Sequence, residues 1–114
     1  MIRAVYEVDR CRVQVQGHAG FAPMGQDTVC AAASALLYTL AEAVKELERM
    51  GMLEGYRVEL QSGAGEVCWT PSVLWRSYVM TAMNSICLGF RLLARDYGEY
   101  VGFEVRRTRH ENLL

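Results

Sequence analysis

Residues 17–40 read GHAGFAPMGQDTVCAAASALLYTL, a glycine-studded connector that passes directly into a run of small and apolar residues. Asp27 or Thr28 ahead of that run is a helix start signal, because a short polar side chain there accepts an unpaired backbone N–H of the first turn. Beyond it, Val29, Ala33, Leu36, Leu37, Leu40, Val44 and Leu47 keep three- and four-residue steps. Such steps put them on one stripe of a helix predicted over 28–50. Its first half, 29–37, is nearly apolar all round and needs cover from other elements or another subunit. Glu42, Lys45, Glu46, Glu48 and Arg49 restore a polar face in the second half, and Gly51 supplies the stop.

Upstream of this helix, Ile2, Ala4, Tyr6 and Val8 alternate with Arg3, Val5 and Glu7, and Cys11, Val13 and Val15 alternate with Arg12, Gln14 and Gln16. With Asp9-Arg10 as the turn, 2–16 reads as a β-hairpin with one buried face. Residues 19–26 carry Gly20, Pro23 and Gly25 without periodicity and form a loop. Downstream, 56–62 and 66–70 flank Gly63-Ala64-Gly65 as a second hairpin. Thr70-Pro71 then reads as a cap with proline in the first helical position, opening a helix that runs to about Tyr97. Along it Trp75, Val79, Ala82, Met83, Ile86, Phe90, Leu93 and Tyr97 form the apolar stripe, and Gly89 marks the close approach of a neighbour. Gly98 ends the helix, and Val101, Phe103 and Val105 alternate in a last strand. The order ββαββαβ predicts an α+β fold, a mixed or antiparallel sheet with two long helices packed on it.

The chain has 114 residues and a formal charge of −1, which suits a single domain over 1–114 and gives no general reason to expect nucleic-acid binding. Arg106, Arg107 and Arg109 read as a short solvated tail. The N-terminus opens on a strand pattern without the apolar core of a signal peptide, and no stretch reaches the ~20 apolar residues of a membrane span. A cytoplasmic, reduced protein is therefore expected, with Cys11, Cys68 and Cys87 as small core or near-core thiols.

Chemistry converges on the opening stretch. With Asp27 as N-cap, Cys30 is the third helical residue, where unpaired N–H groups and the helix dipole favour an anion such as a thiolate. His18 precedes it across a loop long enough to fold back, and an imidazole ordinarily titrates near the pH at which a general base works. A thiol in a first turn with a histidine in reach is the outline of a nucleophile and its base. Ser34, one turn after Cys30, either bonds back to its own helix or offers a hydroxyl to thiolate or substrate. Backbone N–H groups at the helix start, that of Cys30 included, are candidate oxyanion donors, with Gln26 as a side-chain alternative. Phe21, Pro23 and Met24 offer an apolar wall for a peptide, and Gly20 and Gly25 offer hinges for the loop that carries it. No Cys or His spacing fits a metal site, so neither metal nor cofactor is expected.

The same stretch resembles the signature G-H-A-G-F-A-x-x-G-x-D-x-V-C-A-A-x-S of the bacterial ribosomal-processing cysteine proteases, the Prp (YsxB-like) family. Gly17, His18, Ala19, Gly20, Phe21, Ala22, Gly25, Asp27, Val29, Cys30, Ala31, Ala32 and Ser34 match it, while Thr28 and Ala33 replace branched aliphatics. Length and element order extend the likeness over essentially the whole chain. The resemblance implies a thiol protease with Cys30 as nucleophile and His18 as base, and it places Asp27 in the active-site motif as well as at the cap. It further implies a role in ribosome biogenesis and a homodimer. The substrate it implies is a short N-terminal extension of a large-subunit ribosomal protein, the twenty-seventh of that set. The reading from a different class is a non-catalytic module that grips a ribosomal protein or assembly factor with an inert cysteine.

Overall fold

Alternate burial makes β1 (Ile2–Glu7) and β2 (Arg12–Gln16) an antiparallel hairpin, with Ile2, Ala4, Tyr6, Val13 and Val15 turned into the core. The turn between them closes with Cys11 in the left-handed region at φ 50°, its N–H donating to the Val8 carbonyl at 3.1 Å. These elements belong to a computed structural model that describes residues 1–107. Arg109 of the basic tail lies outside the described residues, and Arg106 is paired with Glu104 at 2.6 Å.

Helix α1 (Thr28–Arg49) begins at Asp27, and the stripe from Val29 to Leu47 faces inward. It ends where Gly51 N–H reaches the Glu48 carbonyl and Met52 N–H the Leu47 carbonyl, the paired bonds of a glycine-terminated helix. Strands β3 (Leu53–Gln61) and β4 (Ala64–Pro71) form the second hairpin, then come α2 (Arg76–Asp96) and β5 (Val101–Arg106). The five strands run in the order β3-β4-β2-β1-β5, antiparallel throughout except for β1 with β5. Both helices pack on the sheet, α1 over β3 and β4 and α2 over β5, as the α+β expectation requires. Leu40, Val44, Met83 and Phe90 are fully buried there, each large side chain contributing about 1.5–3 kcal/mol relative to exposure. Gly89 is the close approach: a Cβ on it would lie 2.3 Å from Leu36 Cδ2, so the helices touch where the side chain is missing.

Three expectations are corrected. Pro71 does not open α2; it pairs with Leu53 as the last residue of β4, and the helix starts at Arg76 after a turn through residues 73–75. Proline fits a strand end, where its missing N–H breaks no interior ladder bond. The second hairpin has a two-residue turn, Ser62-Gly63, because Ala64 and Gly65 pair with Gln61 and Leu60. Of the near-core thiols, Cys68 is half-buried beside Glu66 and Arg57, and Glu66 also accepts from Arg12 and Gln14. Finally, α1, at 22 residues and with a mean hydropathy of 1.2 over its most apolar window, is long and apolar enough to cross a membrane. Its apolar stripe, however, is spent on the core, and its last turns expose Glu42, Lys45, Glu46, Glu48 and Arg49.

Candidate active site

Asp27 joins helix and loop with one carboxylate. Oδ1 accepts the Cys30 N–H at 2.9 Å and caps α1, while Oδ2 accepts the N–H groups of Phe21 at 3.0 Å and Ala22 at 3.3 Å. Held by these N–H groups, that of Cys30 foremost, the carboxyl lies below the usual carboxylate range. One oxygen thus caps the helix and the other ties down the loop, and none of these bonds runs to His18. The capped helix presents Cys30 at its first turn, and the folded-back loop brings the Ala19 N–H to 3.2 Å from Cys30 Sγ. Ala19 is itself only 4% exposed, so this donor is fixed by packing.

His18 arrives from the other side, at the exit of β2. Gly17 N–H donates to the Gly63 carbonyl at 2.9 Å, tying that exit to the β3–β4 turn. The imidazole rests on Gly63: a Cβ there would lie 2.9 Å from Nε2, and φ at Gly63 is +76°. Gly63→Ala is therefore expected to cost about 1–2 kcal/mol in backbone strain and to lower cleavage by displacing the imidazole. A melting curve with a cleavage assay checks both effects. Sequence reasoning had not singled out Gly63, and only the double glycine of the turn marked it.

Cys30 and His18 line one groove of about 660 Å³, with Gly17, Gly20, Ala22, Gly25, Asp27 and Ser34 around them. Leu37, Tyr38, Leu60 and Met24 give it apolar walls, Met24 at 84% exposure. Among the described residues no hydrogen bond joins His18 to Cys30. Such bonds often tighten only when substrate is bound, so the shared groove is the informative fact. Ser34 faces the groove and makes no back-bond of the kind Thr39 makes to Ala35. Phe21 is a correction: it does not line the groove but packs edge-on against Tyr100 (5.1 Å between centroids) and Tyr97 (6.1 Å). Phe21 therefore anchors the loop, at about 0.5–1.5 kcal/mol per aromatic pair, and Pro23 and Gln26 also lie outside the lining.

The other thiols are set apart by burial. It pushes Cys11 and Cys68 upward and Cys87 up to about 12, so all three stay protonated at neutral pH. All four cysteines are free.

Known structures repeat this architecture. The S. aureus ribosomal processing protease Prp with a covalently linked product peptide matches with a TM-score of 0.74 at 18% identity, over 93% of this chain and 100% of that one. SMU.848 of Streptococcus mutans matches at 0.66 and 25% identity, over 95% and 96% of the two chains. The S. aureus protease with a substrate peptide matches at 0.63 and 15% identity, over 92% and 97%. No curated protein matches in sequence. The family model for cysteine protease Prp, however, spans residues 1–102, which takes in Cys30, His18 and both walls of the groove. The chain belongs to the Prp family of cysteine proteases.

Proposed function

We propose that this cysteine protease removes a short N-terminal extension from a bacterial large-subunit ribosomal protein, the twenty-seventh of that set. Cys30 Sγ attacks the scissile carbonyl carbon, His18 takes the thiol proton and returns it to the leaving amine, and water releases the acyl group. The observation that carries this reading is the groove: α1 supplies Cys30, the end of β2 supplies His18, and the walls between them are apolar. Such walls suit the apolar and aromatic residues that precede the cut in the implied substrate. Processing of a ribosomal protein is supported by the description of the S. aureus relative, and membership of a protease family weighs against an inert binding module.

The test is digestion of a synthetic peptide copying the host's own ribosomal-protein N-terminus. Cleavage at one bond is expected, and His18→Ala should lower its rate by roughly 10²–10⁴-fold, the usual worth of a general base. An uncut peptide, or a variant as fast as the wild type, refutes the reading.

The protease works as a homodimer in the cytoplasm. Away from the groove, α1 leaves Ala35 exposed, and α2 adds Tyr78, Leu88 at 50% and Leu92 at 48% exposure. A second copy covering this layer would account for so much outward apolar surface. Sedimentation at micromolar concentration should give twice the 12.8 kDa chain, and a monomer alone counts against the dimer. Four unpaired thiols accord with a reducing compartment.

A further inference from the structure

When Cys30 Sγ bonds to the scissile carbon, the carbonyl π pair moves onto oxygen, and the negative charge needs a donor placed beforehand. Two N–H groups of the first turn are already committed. Cys30 N–H bonds Asp27 Oδ1 at 2.9 Å and Ala31 N–H bonds the Asp27 carbonyl at 3.0 Å. In the loop, Phe21 and Ala22 N–H both go to Asp27 Oδ2. Gly17 N–H, beside His18, goes to Gly63. Ala19 N–H is different: it points at the nucleophile itself, 3.2 Å from Sγ, from a buried residue.

We propose that the backbone N–H of Ala19 is the oxyanion donor of this protease. In the resting enzyme it faces the sulfur. Once the C–S bond forms, the oxyanion on the attacked carbon lies within a bond length or two of that sulfur and takes the hydrogen bond over. As the C=O reforms, the C–N bond breaks, and the amine leaves with the proton that His18 holds. No movement of the donor is required, because Ala19 is fixed by the core on one side and by the Asp27-bound N–H groups of Phe21 and Ala22 on the other. A preorganised donor in a dry position is the kind that contributes most to acyl transfer. The expectation that Cys30 supplies its own N–H is thereby replaced.

The inference rests on the acyl-transfer reading above, and its test separates the two. Cys30 is a natural ligation point, so a synthetic 1–29 thioester joined to a chain beginning at Cys30 gives the full protein with the His18–Ala19 amide replaced by an ester. This removes the N–H and no side chain. Cleavage of the ribosomal peptide should fall roughly 10²–10³-fold, while alkylation of Cys30 by iodoacetamide, which forms no oxyanion, stays within a few-fold across the pH profile. Equal losses in both reactions, or no loss in either, overturn the proposal, the first by showing that the N–H serves only the thiolate. If the ester protein does not fold, amide NMR of the intact enzyme decides. A peptide aldehyde that adds to Cys30 should move the Ala19 amide proton downfield more than any other in the loop, and no downfield shift overturns the assignment. If the wild type neither cuts the peptide nor adds the aldehyde, acyl transfer itself is wrong and the donor role falls with it.

Discussion

Cys30→Ser is expected to fold as the wild type does and to cleave on the order of 10⁴-fold more slowly or worse. The fold should hold because everything that builds the first turn of α1 uses the backbone at this position. Asp27 Oδ1 bonds the Cys30 N–H, and a serine hydroxyl can still accept from Ala19. The activity should not hold, because an alcohol resists the ionisation that a thiol near a general base undergoes. Iodoacetamide at neutral pH gives a second readout on the same protein. Burial pushes Cys11, Cys68 and Cys87 up, so wild-type labelling should reside at Cys30 and nearly vanish in the variant. Retained turnover, or labelling that persists, removes Cys30 from the role of nucleophile.

The next largest effect is expected from Asp27→Asn, which divides the helix cap from the loop. Asparagine caps a helix about as well as aspartate, so the bond from Cys30 N–H should survive. The second oxygen becomes an NH2 group facing the N–H groups of Phe21 and Ala22, donor against donor. The loop then loses its tie to α1 and Ala19 its fixed position. Cleavage should fall roughly 10²-fold, an effect of positioning, with alkylation of Cys30 within a few-fold of wild type. Acid unfolding is a further check. The native fold favours the carboxylate, so its contribution to stability is full above the unfolded-state value of about 3.9 and fades as pH falls through the lower folded value. Asp27→Asn should flatten that acid limb. Cleavage left intact, or helix stability and both reactions falling together, would show that Asp27 is a cap and nothing more.

Features encoded within a few residues were legible in the sequence. Asp27, the stripe from Val29 to Leu47 and Gly51 specify α1 almost to the residue, because caps and periodicity are local physics. The start of α2 was misread for the converse reason: Thr70-Pro71 is a good local cap, but pairing of Pro71 with Leu53 overrides it. The early start of β3 was hidden by the bulge between Leu53 and Gly55, which breaks the alternation. At the site, spacing and motif pointed to Cys30 and His18, which the fold brings into one groove. The seat for His18 was not, since Gly63 is distant in sequence and meets the imidazole only through the sheet. Phe21 was assigned to the groove because an exposed aromatic in a loop suggests ligand contact. Tyr97 and Tyr100, which hold it instead, come from the far end of the chain.

The strand order also bears on how the enzyme comes into being. Cys30 and His18 lie early and close together in the chain, but the groove they share also needs residues made much later. The turn that seats His18 arrives with β4, whose pairing of Cys68 with Arg12 closes a loop of about 56 residues. The last strand must then travel back to β1, where Tyr6 meets Val105. Contacts of such long range form late and raise the entropic barrier to folding. A nascent chain therefore holds Cys30 and His18 before residues 60–65, which complete the groove, have been made. The groove is whole only once the β3–β4 turn has docked beside the exit of β2, where the Gly63 carbonyl accepts from Gly17 N–H.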